Sequence, residues 1–314
     1  MELENQTSVE EFIFAGLSSH RRTQLLLFVV ILIIYILTVV ENLLVILLVQ
    51  MDSRLHTPMY FFLMNLSGME ILYVSSSLPQ MLANLLAGHG VISIARCAAQ
   101  MYVGALSGGV ECLLLAVMAY DRYLAVCHPL RYTVAMGRGR QLQLAFASWA
   151  AGFVIATMNV TGTFRHAFCG SNHINHFFCE QPTVLKLACG DTHITEAIMF
   201  ANGFVVFVGP LSVILISYML ILSSVLRMRS SASQHKAFST CGSHLAVVTI
   251  FYGTAMSVHM NSQSGEHPDQ VKEIAVLYIV VTPMFNPLIY TLRNKEVHTA
   301  VAKVLQRRRF ERNG

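Results

Sequence analysis

Apolar residues in this chain come in seven long blocks separated by short polar stretches: Leu25 to Val49, Pro58 to Leu86, Ala98 to Tyr120, Leu142 to Gly162, Ala197 to Leu226, Ala237 to Met260 and Ile274 to Leu292. Each nearly matches or exceeds the roughly 20 helical residues that cross a hydrocarbon layer about 30 Å thick. None alternates with a period of two, as a membrane barrel wall would, and unpaired backbone groups are too costly in lipid for anything but helices. The pattern predicts an all-α protein, a seven-transmembrane helix bundle over 25–292 between tails 1–24 and 293–314. In the second tail Val297, Ala300, Val301, Val304 and Leu305 recur at helical spacing among basic residues, which predicts a short amphipathic helix on the membrane surface.

Composition supports that class. Of 314 residues, 54% are hydrophobic and 12% charged, where a soluble domain carries about a quarter charged. The placement of Lys and Arg sets orientation. Most of the 21 lie on one side, at Arg54, Arg122, Arg131, Arg138, Arg140, Arg227, Arg229, Lys236 and in the second tail; Arg21, Arg22, Arg96, Arg165, Lys186 and Lys272 lie on the other. The richer side is expected to be cytoplasmic and the N-terminus extracellular, in a multi-pass plasma-membrane protein that meets membrane lipid and no nucleic acid. The first 20 residues carry Glu2, Glu4, Glu10 and Glu11 and no apolar core, so they do not read as a cleavable signal peptide. Asn5-Gln6-Thr7 fits a glycosylation acceptor in that tail.

Polar residues inside the blocks narrow the chemistry. Glu41, Glu70 and Glu111 sit within the first three apolar runs, each at about 2.5–3.5 kcal/mol, and are expected to face one another. Two adjacent carboxylates need a cation or a shared proton. Cys97, Cys169, Cys179 and Cys189 fall on the outer side, where disulfides persist, and four cysteines allow three pairings. The outer loop from about Thr163 to Thr195 is long and His-rich, with His166, His173 and His176 as groups able to respond to pH. The loop Arg227 to His235, with Ser230, Ser231 and Ser233, reads as a solvated linker.

Four motifs carry a resemblance. They are Met118-Ala119-Tyr120-Asp121-Arg122-Tyr123-Leu124-Ala125-Val126-Cys127, Pro58-Met59-Tyr60-Phe61-Phe62-Leu63-Met64-Asn65-Leu66-Ser67, Lys236-Ala237-Phe238-Ser239-Thr240-Cys241-Gly242-Ser243-His244-Leu245 and Pro283-Met284-Phe285-Asn286-Pro287-Leu288-Ile289-Tyr290. Together the chain resembles an odorant receptor of the rhodopsin-like G-protein-coupled class, over its whole length. The resemblance implies disulfides Cys97–Cys179 and Cys169–Cys189, with Cys97–Cys189 as the alternative. It places Glu70 and Glu111 where this class holds sodium, near Asn42 and Asn286, and no other cofactor is implied; a protonated polar core without an ion is the other reading. Glu41 departs from the glycine usual beside that asparagine. Asp121, Arg122 and Tyr123 would form the switch, with Asp121 holding Arg122 at rest and Tyr218 and Tyr290 holding it when the sixth helix swings out and a stimulatory heterotrimeric G-protein of the olf/s type docks.

A ligand site is expected where small residues leave room. Gly104, Gly108 and Cys112 share one face of the third span beside Ala105 and Gly109, although close helix packing uses the same residues. Asn202, Val206, Tyr252, Ala255, His259 and Ile279 are expected opposite. Such a pocket suits a small, volatile, mostly apolar molecule; at about ten heavy atoms it would bind in the micromolar range or weaker. Gly104 stands where amine receptors carry an aspartate, which argues against a biogenic amine. His176-Phe177-Phe178-Cys179-Glu180 has been likened to a metal site in this family, a reading disfavoured here by the disulfide expected at Cys179. The rivals are a metabolite sensor of the same fold and a transporter or channel, the latter without the paired inverted repeats such proteins show. No nucleophile, base and oxyanion donor converge, so an enzyme is not expected.

Overall fold

The computed structural model describes residues 9–18, 20–169, 171–228, 230–264 and 268–292. Asn5 and the expected amphipathic helix lie outside them. In chain order the elements are β1 (Glu11–Phe14), α1 (Arg21–Met51), α2 (Pro58–Ala87), β2 (Gly90–Ser93), α3 (Ile94–Cys127), α4 (Pro129–Ala135), α5 (Arg138–Phe164), β3 (His173–Ile174), α6 (Gln181–Leu185), α7 (His193–Leu226), α8 (Ser231–Ser264), α9 (Pro268–Val276) and α10 (Thr282–Leu292). A π turn, Leu277–Val281, joins α9 to α10 into one rod. Among the described residues this gives seven long rods, of which α1, α3, α5 and α7 are apolar and long enough to cross a membrane on length and composition alone.

Local chemistry sets the ends of the rods. Pro58 sits at the start of α2, where its missing N–H would be unpaired anyway, and Gly88 closes that helix at φ 82°, a conformation only glycine adopts cheaply. Ser93 accepts from the Arg96 N–H at the start of α3. α1 begins at Arg21 rather than Leu25, and its guanidinium donates to the carbonyls of Leu85 and Leu86, tying it to the end of α2. α8 begins at Ser231, so Ser231 and Ser233 belong to a helix and not to the expected linker.

Burial identifies α3 as the axis of the bundle. Of its most apolar stretch 61% is buried, against 17–28% for α1, α5 and α7. α3 packs against α2, α5, α7 and α8, while α1 packs on α2 and α10. Outward faces of the peripheral helices carry exposed Leu26, Val40, Phe146, Val205 and Met219, a surface suited to lipid rather than water. Inside, Phe62, Leu66, Leu114, Leu115, Met118 and Phe251 form the main core.

One end of the bundle departs from an all-helical reading. β1 pairs antiparallel with β2 and parallel with β3. Period-two alternation in Glu11-Phe12-Ile13-Phe14 buries Phe12 and Phe14 against Ile92, Ile174 and the Cys97–Cys179 disulfide, and a reading tuned to helical periods passes over so short a strand. A second disulfide joins Cys169 to Cys189. Sheet, disulfides and α6 together make a lid over this end.

Candidate functional site

Beneath the lid lies a cavity of about 720 Å³, within the range of small-molecule sites. Of the residues expected there, Gly104, Ala105, Gly108, Gly109, Asn202, Val206 and Ala255 line it. Cys112 does not; it lies one turn deeper and is fully buried in the core. Tyr252 packs its ring on Phe207 and Phe251 instead of lining the cavity. Ile279 points into a cluster with Ile31 and Val74, and the side chain of His259 lies outside the described residues. In place of Ile279 its neighbour Tyr278 lines the cavity, within the π turn Leu277–Val281. A π turn closes hydrogen bonds one residue later than an α-helix and so rotates every side chain beyond it; four-residue spacing gives no sign of that.

The small residues of α3 serve two purposes on two faces. A side chain at Gly104 would meet Tyr73 at 3.8 Å, and one at Gly108 would meet the Tyr278 hydroxyl at 3.6 Å, both ordinary contacts across open space. Gly109 backs onto α5, with the Gly152 backbone at 3.6 Å; a β-carbon on Gly152 would fall 2.5 Å from Val110 Cγ2. Ligand space and close helix packing therefore coexist on one helix.

Most polar groups around the cavity are engaged with the protein. Asn202 Nδ2 donates to Asn159 Oδ1 at 2.9 Å. Gln181 Nε2 donates to the Asn159 carbonyl and to Thr163 Oγ1, and Gln100 Oε1 accepts from the Cys179 N–H at 2.8 Å. In the lid, burial pushes Glu180 up to about 7, partly countered by Lys186. His176, wedged between Phe177 and Phe178, is pushed down to about 3 by burial and by the charge of Lys272. Burial thus favours its neutral form. No group of three or more His, Cys, Asp or Glu side chains forms a metal site among the described residues, and Cys179 is held in its disulfide.

Midway along the bundle, Asn286 Nδ2 donates to Glu70 and, at 3.0 Å, to Glu111. Asn42 Nδ2 donates to the carbonyls of Thr38 and Pro283, while Asn42 Oδ1 and Ser107 Oγ are buried without partners. Glu41 does not join: its Oε2 is buried with no hydrogen-bond partner. Adjacent helical residues point about 100° apart, so Asn42 facing α10 turns Glu41 away. The expectation that three glutamates meet is corrected to a pair.

Toward the other end of α3 the switch residues separate. Asp121 Oδ1 accepts from Tyr132 of α4 at 2.9 Å, and no Asp121–Arg122 ion pair forms among the described residues. Arg122 Nε is buried without a partner. The expected resting pair is thus replaced by a tyrosine donor, because neighbours on one helix diverge whereas α4 lies across from Asp121. Tyr123 turns aside to His128, at 2.9 Å. The Tyr218 hydroxyl meets His244 Nδ1 at 2.7 Å, and His244 Nε2 reaches the Leu115 carbonyl at 3.1 Å. A carbonyl only accepts, so Nε2 carries the proton and Tyr218 donates to Nδ1. That bridge joins α3, α7 and α8 through His244, which the sequence offered only as a member of the motif beginning at Lys236, without a role, since spacing along one helix gives no sign of what a histidine bridges. The Tyr290 side chain lies outside the described residues.

A family model described as olfactory receptor matches residues 31–308. Among similar proteins, Olfactory receptor 1f45 of Rattus norvegicus is 46% identical over 304 residues, 97% of each chain. Olfactory receptor 2D2 of Homo sapiens is 47% identical over 303 residues, 96% of this chain and 98% of its own. The crystal structure of squid rhodopsin superposes with a TM-score of 0.73 at 17% identity, covering 90% of this chain and 81% of that one; at that identity the likeness concerns the fold.

Proposed function

This chain belongs to the olfactory receptor family, and on that footing we propose that the cavity beneath the lid binds a small, volatile, mostly apolar odorant and that the Arg122 end docks a stimulatory G-protein of the olf/s type, raising cyclic AMP. The lid end faces the exterior with the N-terminus, and the Arg122 end faces the cytoplasm in the plasma membrane, as the distribution of Lys and Arg favours. One observation carries the reading. Gly104 and Arg122 stand on a single helix, roughly 27 Å apart at about 1.5 Å of rise per residue, with a cavity at one position and a buried unsatisfied guanidinium nitrogen at the other.

A guanidinium keeps its charge at all relevant pH, and a buried Nε without an acceptor is costly to leave. Opening of the Arg122 end would relieve that cost by offering carbonyl acceptors from a docking partner. An odorant then needs only a preference for the open arrangement, because differential affinity and not tightness shifts a population. Tyr218, now donating to His244, stands beside Cys241 on the helix expected to move.

The polar centre fits a hard monovalent cation. Glu70 and Glu111 offer carboxylate oxygens that the Asn286 amide draws together, and Asn42 Oδ1 is buried unsatisfied. Glu70 and Glu111, with Asn42 and Asn286 nearby, would hold sodium, which would supply the charge that lets both carboxylates stay ionised.

The test is a cyclic-AMP reporter assay in cells expressing the full chain against a panel of volatile compounds. Arg122→Ala is expected to reduce every agonist response to baseline, at least about tenfold, with surface expression retained. Intact responses in that variant would refute the role given to Arg122.

A further inference from the structure

Among the cavity-lining residues described, Glu180 has a buried side-chain oxygen, Oε2, with no hydrogen-bond partner. Its neighbours along the wall differ. Gln100, Asn159, Gln181 and Asn202 are bonded to one another or to backbone, and Glu196, out on the rim, accepts from Thr192 at 2.7 Å. Lys186, also on the rim, is exposed. A mostly apolar cavity thus keeps one carboxyl whose bonding the protein leaves incomplete, and such a group is expensive to bury unless something donates to it.

We propose that Glu180 selects ligands that carry a hydrogen-bond donor, a hydroxyl or an ammonium, at one end of an apolar body. This rests on the reading of the cavity as the odorant site and adds the polar feature the odorant must have. Glu180 follows Cys179, and the bond from Cys179 to Cys97 fixes that backbone to the start of α3; the Thr183 and Val184 N–H groups hold the Glu180 carbonyl. The carboxyl is therefore presented by an anchored segment rather than a loose loop. Both protonation states keep an acceptor oxygen, and burial that holds the group up to about 7 is relieved by an incoming ammonium. An acid ligand would bring a second anion beside it. Glycine at 104 removes the aspartate that would hold an amine from α3, but the lid supplies a carboxyl from above.

The experiment uses compounds of one size and different heads: 1-octanol, octylamine, octanal and heptyl methyl ether, in the cyclic-AMP assay on the full chain. The alcohol and the amine are expected to act at concentrations at least about tenfold lower than the aldehyde and the ether, the scale of one hydrogen bond to a charged or ionisable group. Glu180→Leu should bring the two classes within about threefold by weakening the donors alone. Glu180→Gln, which keeps a carbonyl acceptor and loses the charge, should spare 1-octanol and weaken octylamine about tenfold, and it decides the matter if the leucine variant fails to reach the surface. Equal potency of the two classes, silence of both donor compounds, or an equal loss for all four in Glu180→Leu would overturn the proposal. If octanal or the ether acts through Arg122 with no advantage to the donors, the odorant-receptor reading stands and this inference alone fails.

Discussion

The two halves of α3 differ in what they pack against. In its first half the helix offers Gly104, Ala105 and Gly108 to open space and Gly109 to a sister glycine on α5, and the cavity occupies the gap. From Val110 to Ala119 it presents Val110, Leu114, Leu115, Met118 and Ala119, all fully buried. Packing at native density makes the second half intolerant of added volume, whereas the first has room to change shape without loss of the fold. One helix thereby separates a variable task, fitting a ligand, from a fixed one, holding Arg122 and the His244 bridge in place.

The contrast breaks most easily at the seam between the halves. Gly152→Leu drives a side chain into Val110 and the Leu106 carbonyl, which lies at 3.3 Å, and is expected to cost about 3 kcal/mol, the upper end for overpacking. Near wild-type surface expression and thermal stability would show that α3 and α5 are not close-packed there. The lid gives a second, smaller effect. Because His176 is held neutral, with its folded value at about 3, protonation favours the unfolded lid; stability should fall as pH drops below about 6.5, by up to roughly 1.4 kcal/mol per unit. His176→Phe should flatten thermal-unfolding profiles between about pH 6.5 and 5, and an unchanged slope would assign the acid sensitivity elsewhere.

In the open half, Gly108→Leu fills the space before the Tyr278 hydroxyl and should change agonist potency at least about tenfold while surface expression stays normal. An unchanged agonist profile would move the ligand away from this face. The smallest effect is expected at the boundary between the halves. Replacing sodium by potassium should alter basal cyclic AMP about twofold, as for a cation near its dissociation constant, and Glu111→Gln should abolish that difference; a sodium effect that survives in the variant would place the ion at another site.

Much of the fold was legible because lipid imposes one rule on every span. Seven apolar blocks, the charge asymmetry and the prolines at 58 and 287 needed no partner to be read. The site was legible only in part. The glycines of α3 could be picked out, but their division between cavity and α5 could not, since spacing along one helix does not say which neighbour lies on which side. Tyr278 was missed for Ile279 because of the π turn, and Tyr73, Asn159, Phe178 and Glu180 because their faces depend on how other rods and the lid are placed. The Asp121–Arg122 pair was expected from adjacency, yet Tyr132 takes the carboxylate.

Sequence alone determined the helical spans, the family and the positions at which polar groups enter the membrane, since burial cost and backbone hydrogen bonding act on each segment independently. Tertiary structure decided which of those groups meet. It put Asn286 between Glu70 and Glu111, turned Glu41 away, and left Glu180 and Arg122 with unmet hydrogen-bonding capacity at opposite ends of the bundle. Such pairings depend on the rotation of one helix against another, which short-range periodicity fixes only to within a face.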